Sequence, residues 1–94
     1  MAIINFLARP NQVTLNQLTL LESSFTDNDG TVVYQISDAS PITFVGGMRK
    51  IESDITGMEN STATALEGPT GGVRISAYRK GNPNDKISRL VRII

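Results

Sequence analysis

Two runs patterned with apolar residues make up most of the last 22 residues of the chain, 73–94. The run 73–79 places apolar residues at alternate positions, and the run 86–94 does so less cleanly. The two runs flank a segment, 80–85, that contains Gly, Pro and two Asn residues. A period of two is typical of strands with one buried face, and Gly, Asn and Pro favour turns. The pattern predicts a β-hairpin over residues 73–94, around which the rest of the chain is arranged.

Shorter apolar runs upstream predict additional strands. Residues 2–9 form an apolar arm that ends before Pro10, and residues 31–36 alternate clearly. The Asp-Asn-Asp-Gly sequence at 27–30 lacks the spacing and the distal Glu of a calcium loop, and it predicts a tight hairpin turn before the strand at 31–36. Residues 42–55 indicate two short strands that are separated by a glycine pair.

Two segments are ambiguous. Residues 12–22 fit a strand with a bulge at Asn16–Gln17, and their leucine spacing also fits one face of a helix. Residues 56–72 fit either a flexible loop or a short helix over residues 60–67. We therefore predict a single all-β domain, residues 1–94, built as a small antiparallel sandwich or barrel of about six short strands, with at most one short helix near residues 60–67.

The composition excludes the commonest kinds of enzyme site. The chain contains no Cys and no His, so it has no thiol nucleophile, no thiolate zinc site and no imidazole base. The motifs Gly-x-Ser-x-Gly and Ser-x-x-Lys do not occur, and no apolar run approaches the roughly 20 residues of a transmembrane helix. We predict that the protein is not an enzyme and that it has no cofactor, no metal, no small-molecule substrate and no membrane contact.

The charges balance over the whole chain but are unevenly distributed. Residues 73–94 carry six basic residues and one acidic residue, whereas residues 1–72 carry three basic and eight acidic residues. A cationic hairpin is compatible with contact to nucleic acid, with contact to an acidic neighbouring subunit, or with a solvated face. The predicted contact residues of this hairpin are Arg74, Tyr78, Arg79, Lys80, Lys86, Arg89 and Arg92.

Both ends of the chain are apolar, and large rings are few, with three Phe, two Tyr and no Trp. A small domain with a thin core is marginally stable on its own. We therefore expect the terminal strands to join copies of the chain, or to dock it on a larger assembly. The predicted subunit contacts are Ile3, Ile4, Phe6, Leu7, Leu90, Ile93 and Ile94.

The absence of Cys and His, the many Thr, Ser and Asn residues, the short strands with Gly-rich turns and the apolar ends resemble small bacteriophage virion proteins of the coat, cement or connector type. The run Gly30-Thr-Val-Val-Tyr-Gln-Ile, followed by Ile42-Thr-Phe-Val and Met48-Arg49-Lys50, is similar to the strand order of single-stranded RNA phage coat proteins. In that family a basic sheet face binds genomic RNA. Since this sequence lacks the pair of C-terminal helices of that family, only the general class is carried over.

The resemblance implies a structural subunit of a phage particle, made in the host cytoplasm and located in the virion. Its expected partners are further copies of the chain or other virion proteins, with genomic nucleic acid as an additional candidate. The alternative is a small β-barrel that binds single-stranded nucleic acid with the basic C-terminal hairpin. A regulatory enzyme-binding or antitoxin-like module is a third hypothesis.

Overall fold

The computed structural model describes residues 3–94, which form two β-sheets packed face to face. One sheet has four strands in the order β1-β3-β7-β5, and the other has five in the order β2-β9-β8-β4-β6. The strands are β1 (Ile3–Arg9), β2 (Gln12–Val13), β3 (Leu18–Phe25), β4 (Thr31–Ile36), β5 (Thr43–Phe44), β6 (Lys50–Asp54), β7 (Glu59–Glu67), β8 (Gly71–Arg79) and β9 (Lys86–Ile93). Within residues 3–94, helical structure is confined to one 3-10 turn at Val45–Gly47. The predicted all-β sandwich class is confirmed.

The C-terminal hairpin has the predicted form. Strands β8 and β9 pair antiparallel from Gly71 opposite Ile93 to Tyr78 opposite Lys86. β4 adds to the other side of β8, which makes β8 the central strand of the five-stranded sheet. The hairpin therefore provides the middle of one layer of the sandwich.

The core lies between the sheets because each strand turns alternate side chains inward. The rings of Phe6 and Tyr34, one from each sheet, have their centroids 5.5 Å apart. Ile3, Phe6 and Ile93 are predicted subunit contacts, but their side chains are buried in this core. They are therefore unavailable to another subunit, and that part of the prediction is corrected.

Residues 59–67 form strand β7, where the sequence indicated a short helix or a loop. β7 pairs with β3 from Leu18 opposite Ala65 to Ser24 opposite Glu59. Its inward positions alternate as in any strand, but most of them are polar, so the sequence shows no apolar period. These inward residues are Asn60, Thr62, Thr64 and Leu66.

The ambiguous segment 12–22 forms neither one bulged strand nor a helix. The chain turns at residues 14–17, where the Gln17 N–H donates to the Thr14 carbonyl at 3.1 Å and Asn16 has a φ of 68°. β2 before this turn belongs to the five-stranded sheet, and β3 after it belongs to the four-stranded sheet. The chain therefore passes from one sheet to the other within this segment.

The turn at 27–30 does not close a hairpin, because β3 and β4 lie in different sheets. The guanidinium of Arg79 at the end of β8 binds the carboxylates of Asp27 and Asp29 in this connection. Gly30 has a φ of 103°, and a β-carbon there would lie 3.0 Å from the Arg79 guanidinium. Glycine at this position therefore supplies both a left-handed backbone and the space for the ion pairs.

Candidate functional site

The outward face of the five-stranded sheet collects most of the basic residues of the C-terminal hairpin. On β8 and β9 the outward side chains are opposite one another in pairs, Tyr78 with Lys86 and Ser76 with Ser88, followed by Arg74 with Leu90. The neighbouring strands add residues in register with these pairs. We call this surface the basic face and define it by Gln35, Lys50, Arg74, Ser76, Tyr78, Lys86, Ser88, Leu90 and Arg92.

Four cations of the basic face have no counter-ion. Within residues 3–94, the side chains of Lys50, Arg74, Lys86 and Arg92 make no ion pair or hydrogen bond. Lys80, at the edge of the face, differs because its Nζ lies 2.7 Å from Oε1 of Glu52, and this hydrogen bond raises the pKa of Lys80. The outward parity of β6 also includes Glu52 and Asp54, and Glu52 is the partner of Lys80, so the basic face carries an excess of positive over negative charge.

A shallow groove of about 260 Å³ crosses the basic face. The Tyr78 hydroxyl donates to Oε1 of Gln35 at 2.7 Å and so holds the phenol ring across the sheet. The Oγ atoms of Ser76 and Ser88 lie 2.8 Å apart beside it. No carboxylate lines this part of the surface, and the lining residues are Gln35, Ser37, Arg74, Ser76, Tyr78, Pro83 and Lys86.

Two predicted contact residues point away from the basic face. Arg79 binds Asp27 and Asp29, and its side chain is 21% exposed. Arg89 lies on the inward parity of β9, and its Nε donates to the Phe6 carbonyl at 2.8 Å. Both arginines therefore stabilise connections within the fold, and Arg89 is also exposed, so contact of either with an outside partner stays a prediction.

Of the remaining predicted contacts, the structure brings together Arg74, Tyr78, Lys86 and Arg92, with Lys80 at the edge. The sequence reasoning missed Lys50 and Gln35, which reach the same face from β6 and β4. Nothing in the local sequence could place them there, because their position depends on the order of strands in the sheet.

The outward face of the four-stranded sheet offers a contrasting surface. A depression of about 220 Å³ there is lined by residues that include Arg9, Glu22 and Glu59. Its one basic side chain is already paired, since Nε of Arg9 donates to Oε1 of Glu22 at 2.6 Å. This surface therefore carries no free positive charge and is a weaker candidate for binding an anion.

The exposed predicted subunit contacts do not form one surface. Leu7 lies on the outward face of the four-stranded sheet, opposite Glu22, whereas Leu90 lies on the basic face. Ile4 and Ile94 are also exposed. Self-association through these side chains stays a prediction.

Residues 3–94 contain neither a metal-binding cluster nor a membrane-spanning helix. No group of three or more carboxylate side chains is arranged to hold a metal ion. No helix in this part of the chain has the length and apolar character that crossing a membrane requires.

Seven of the strands follow the order of an immunoglobulin-like sandwich: β1, β3, β7 and β5 correspond to strands A, B, E and D of one sheet, and β4, β8 and β9 correspond to strands C, F and G of the other. Strands β2 and β6 extend the second sheet at its two edges. No family model matches the chain, and no curated protein matches it. Among solved structures, the chain is similar to the D00-D0 domain of Intimin, with a TM-score of 0.73 and 11% sequence identity. The match covers 99% of this chain and 47% of the other, so the chain spans about half the length of the structure it matches.

This comparison corrects the function predicted from the sequence. The matched structure is a domain of a bacterial adhesin, and neither a phage-particle subunit nor a nucleic-acid-binding protein. The features behind the prediction also have other roles, since Ile3, Phe6 and Ile93 fill the core and Arg79 and Arg89 bind within the fold. What the comparison shows for this chain is the fold, an immunoglobulin-like β-sandwich.

Proposed function

We propose that the chain is a non-catalytic, immunoglobulin-like binding module of an adhesin-type protein, and that it contacts an anionic partner through the basic face. The observation that carries the proposal is the group of four unpaired cations, Lys50, Arg74, Lys86 and Arg92, on one sheet face. The adhesin setting is supported by the likeness of the fold to the Intimin domain.

The unpaired cations contrast with the other basic residues of the fold. Arg9, Arg79 and Lys80 each bind a carboxylate of the same chain. Charged residues that guard sheets against aggregation lie on edge strands. Arg74 lies on β8, which is hydrogen-bonded on both sides, so edge protection does not account for it. A local excess of one charge attracts a partner of the opposite charge and speeds its association.

The proposal is tested by the binding of the protein to an immobilised acidic polysaccharide at increasing salt. Arg74→Gln and Arg9→Gln change the net charge by the same amount, but Arg74 is on the basic face and Arg9 is on the opposite side of the sandwich. We expect Arg74→Gln to elute at lower salt than the parent and Arg9→Gln to elute with the parent, because salt screens exposed charges. Equal shifts in the two variants, or no retention of the parent, would overturn the proposal.

A further inference from the structure

We infer that the groove beside Tyr78 binds a single carboxylated sugar unit of an acidic polysaccharide. This inference rests on the proposed function, because it names the anionic partner of the same face. Three properties of the groove carry it: its size, its uncharged polar groups and the position of its cations.

The size of the groove limits what it can hold. Its volume of about 260 Å³ lies below the range of roughly 300–1,000 Å³ that is typical of pockets for drug-sized ligands. The groove is open along the sheet surface, between β4 on one side and β9 on the other. Such a shape suits one ring-sized unit of a longer chain whose neighbours lie along the basic face.

The uncharged polar groups match the hydroxyls of a sugar. The Oε1 atom of Gln35 accepts the Tyr78 hydroxyl, and its amide nitrogen makes no hydrogen bond within residues 3–94. Ser76 and Ser37 add hydroxyl groups that can both donate and accept. The flat phenol of Tyr78 supplies an apolar surface of limited mobility, because its hydroxyl is tied to Gln35. Together these groups offer both stacking and hydrogen bonding to one ring.

The cations beside the groove favour a sugar that carries a carboxylate. Lys86 is directly opposite Tyr78, and Arg74 lies four residues from Tyr78 along β8, about 13 Å at the spacing of a strand. The planar guanidinium of Arg74 has no partner within the described residues and can bind a carboxylate through two parallel hydrogen bonds. No acidic side chain lines the groove, so a bound anion meets no carboxylate within it.

A nucleic acid fits this surface less well. Proteins that bind single strands stack successive bases on several aromatic side chains. Tyr78 is the one aromatic residue among the described outward residues of the five-stranded sheet. A polysaccharide unit requires one stacking surface, which is what the groove provides.

The test is a calorimetric titration of the folded protein with oligogalacturonate, a carboxylated oligosaccharide, and with its methyl-esterified form. The esterified form has the same rings and linkages without the charge. We expect the acid form to bind at least about tenfold more tightly, because hydrogen bonds to a charged partner exceed neutral ones by about that factor. Equal affinities for the two forms would overturn the inference.

Variants then locate the site. Gln35→Ala and Tyr78→Ala remove groups of the groove, and each should weaken binding of the acid form by about tenfold or more, as expected for the loss of a stacking ring or hydrogen-bonding group. Arg92→Gln is the matched control, since Arg92 is on the basic face but does not line the groove. Arg92→Gln should weaken the binding of oligogalacturonate and of polyanions that are not sugars. It should not change the preference for oligogalacturonate over its methyl ester. Circular dichroism checks that each variant is folded, and Gln35→Ala keeps the test decisive if Tyr78→Ala unfolds.

Two competitors separate this inference from the proposed function. If a single-stranded oligonucleotide or oligoaspartate binds as tightly as oligogalacturonate, the inference is wrong and the proposed anion-binding face stands. If none of the three binds, both are wrong. Tighter binding of oligogalacturonate than of either competitor, weakened by about tenfold in Gln35→Ala and with the preference over the ester kept in Arg92→Gln, supports both.

Discussion

The hydroxyl of Tyr34 donates a hydrogen bond to Oδ1 of Asn60 at 2.8 Å, and the two residues belong to different sheets. Ser23 Oγ, 2.7 Å from the phenolic oxygen, acts as the donor to it, because the Tyr34 proton is already used. The amide nitrogen of Asn60 donates to Oγ of Ser53 and to the Asp54 carbonyl, both at 2.8 Å. A buried polar cluster thus joins the two layers of the sandwich.

Replacing Tyr34 by Phe should lower the free energy of unfolding by about 1–3 kcal/mol, because Ser23 and Asn60 each lose a buried partner. Urea denaturation measures the change. Tyr78→Phe is the matched control, since it removes a hydroxyl whose partner, Gln35, is on the surface. The control should lose about 1 kcal/mol or less, and similar losses in both variants would contradict the structural role of Tyr34.

Tyr34 should also make the protein sensitive to alkali. Burial raises the pKa of Tyr34 from 10.0 to about 12, so the folded state holds the phenolic proton more tightly than the unfolded state does. This contribution to stability is fully present below pH 10 and is lost as the pH rises from 10 to about 12. The loss is about 2–3 kcal/mol at 1.36 kcal/mol for each unit of pKa.

Urea denaturation of the parent and of Tyr34→Phe across this pH range tests the prediction, and the variant should lose less stability with rising pH. The sequence has two tyrosines, so the variant Tyr78→Phe keeps Tyr34 as its single tyrosine. The ionisation of Tyr34 can then be followed directly in this variant by ultraviolet absorbance. Identical pH dependence in the parent and in Tyr34→Phe would contradict the assignment.

The sequence predicts those strands in which bulky residues mark the buried face. The hairpin over β8 and β9 and the strand β4 have this character. β7 was missed because Asn60 and Thr64 occupy its inward positions, and their burial depends on partners from other strands. The turn at 27–30 has the local chemistry of a hairpin, yet Phe25 and Val32 on its two sides are buried from opposite sheets. Local sequence sets the turn, whereas packing of the whole core decides which sheet each strand joins.

Only part of the candidate site could be predicted from the sequence, for a related reason. Strand parity places Arg74 and Tyr78 together on an outward face, and it places Arg89 with the inward residues of β9. Gln35 completes the groove from β4, which is far from β8 in sequence. Such a constellation depends on strand order, which periodicity within a single strand does not reveal.

Gly68 should be the glycine that tolerates substitution least. Its φ is 133°, and a β-carbon would lie 2.8 Å from the Pro41 carbonyl oxygen and 3.0 Å from Cα of Ile42. Gly46 also has a positive φ, 81°, but open space around it. Gly46→Ala should therefore cost about 1 kcal/mol of backbone strain, and Gly68→Ala should cost more because backbone atoms must also move. Thermal unfolding of the two variants measures the difference, and equal costs would argue against close packing at Gly68.

The last two isoleucines should differ sharply in their contribution to stability. Ile93 is 3% exposed and belongs to the core, whereas Ile94 is 63% exposed and is held through its backbone N–H, which donates to the Val13 carbonyl. Ile93→Ala should lower the free energy of unfolding by about 2–5 kcal/mol, and Ile94→Ala should change it by less than about 0.5 kcal/mol. Chemical denaturation measures both, and a large effect of Ile94→Ala on the monomer would contradict the burial pattern.

Strands β2 and β9 run in the same direction, and the N–H groups of Arg92 and Ile94 donate to the carbonyls of Asn11 and Val13 at 2.9 Å. Tension that enters the chain at Asn11 and leaves it at Ile94 pulls these two strands past each other. The hydrogen bonds between them then resist together in shear, instead of opening one after another as they would in a peeled hairpin. A force applied between Asn11 and Ile94 is therefore expected to load both of these hydrogen bonds at the same time.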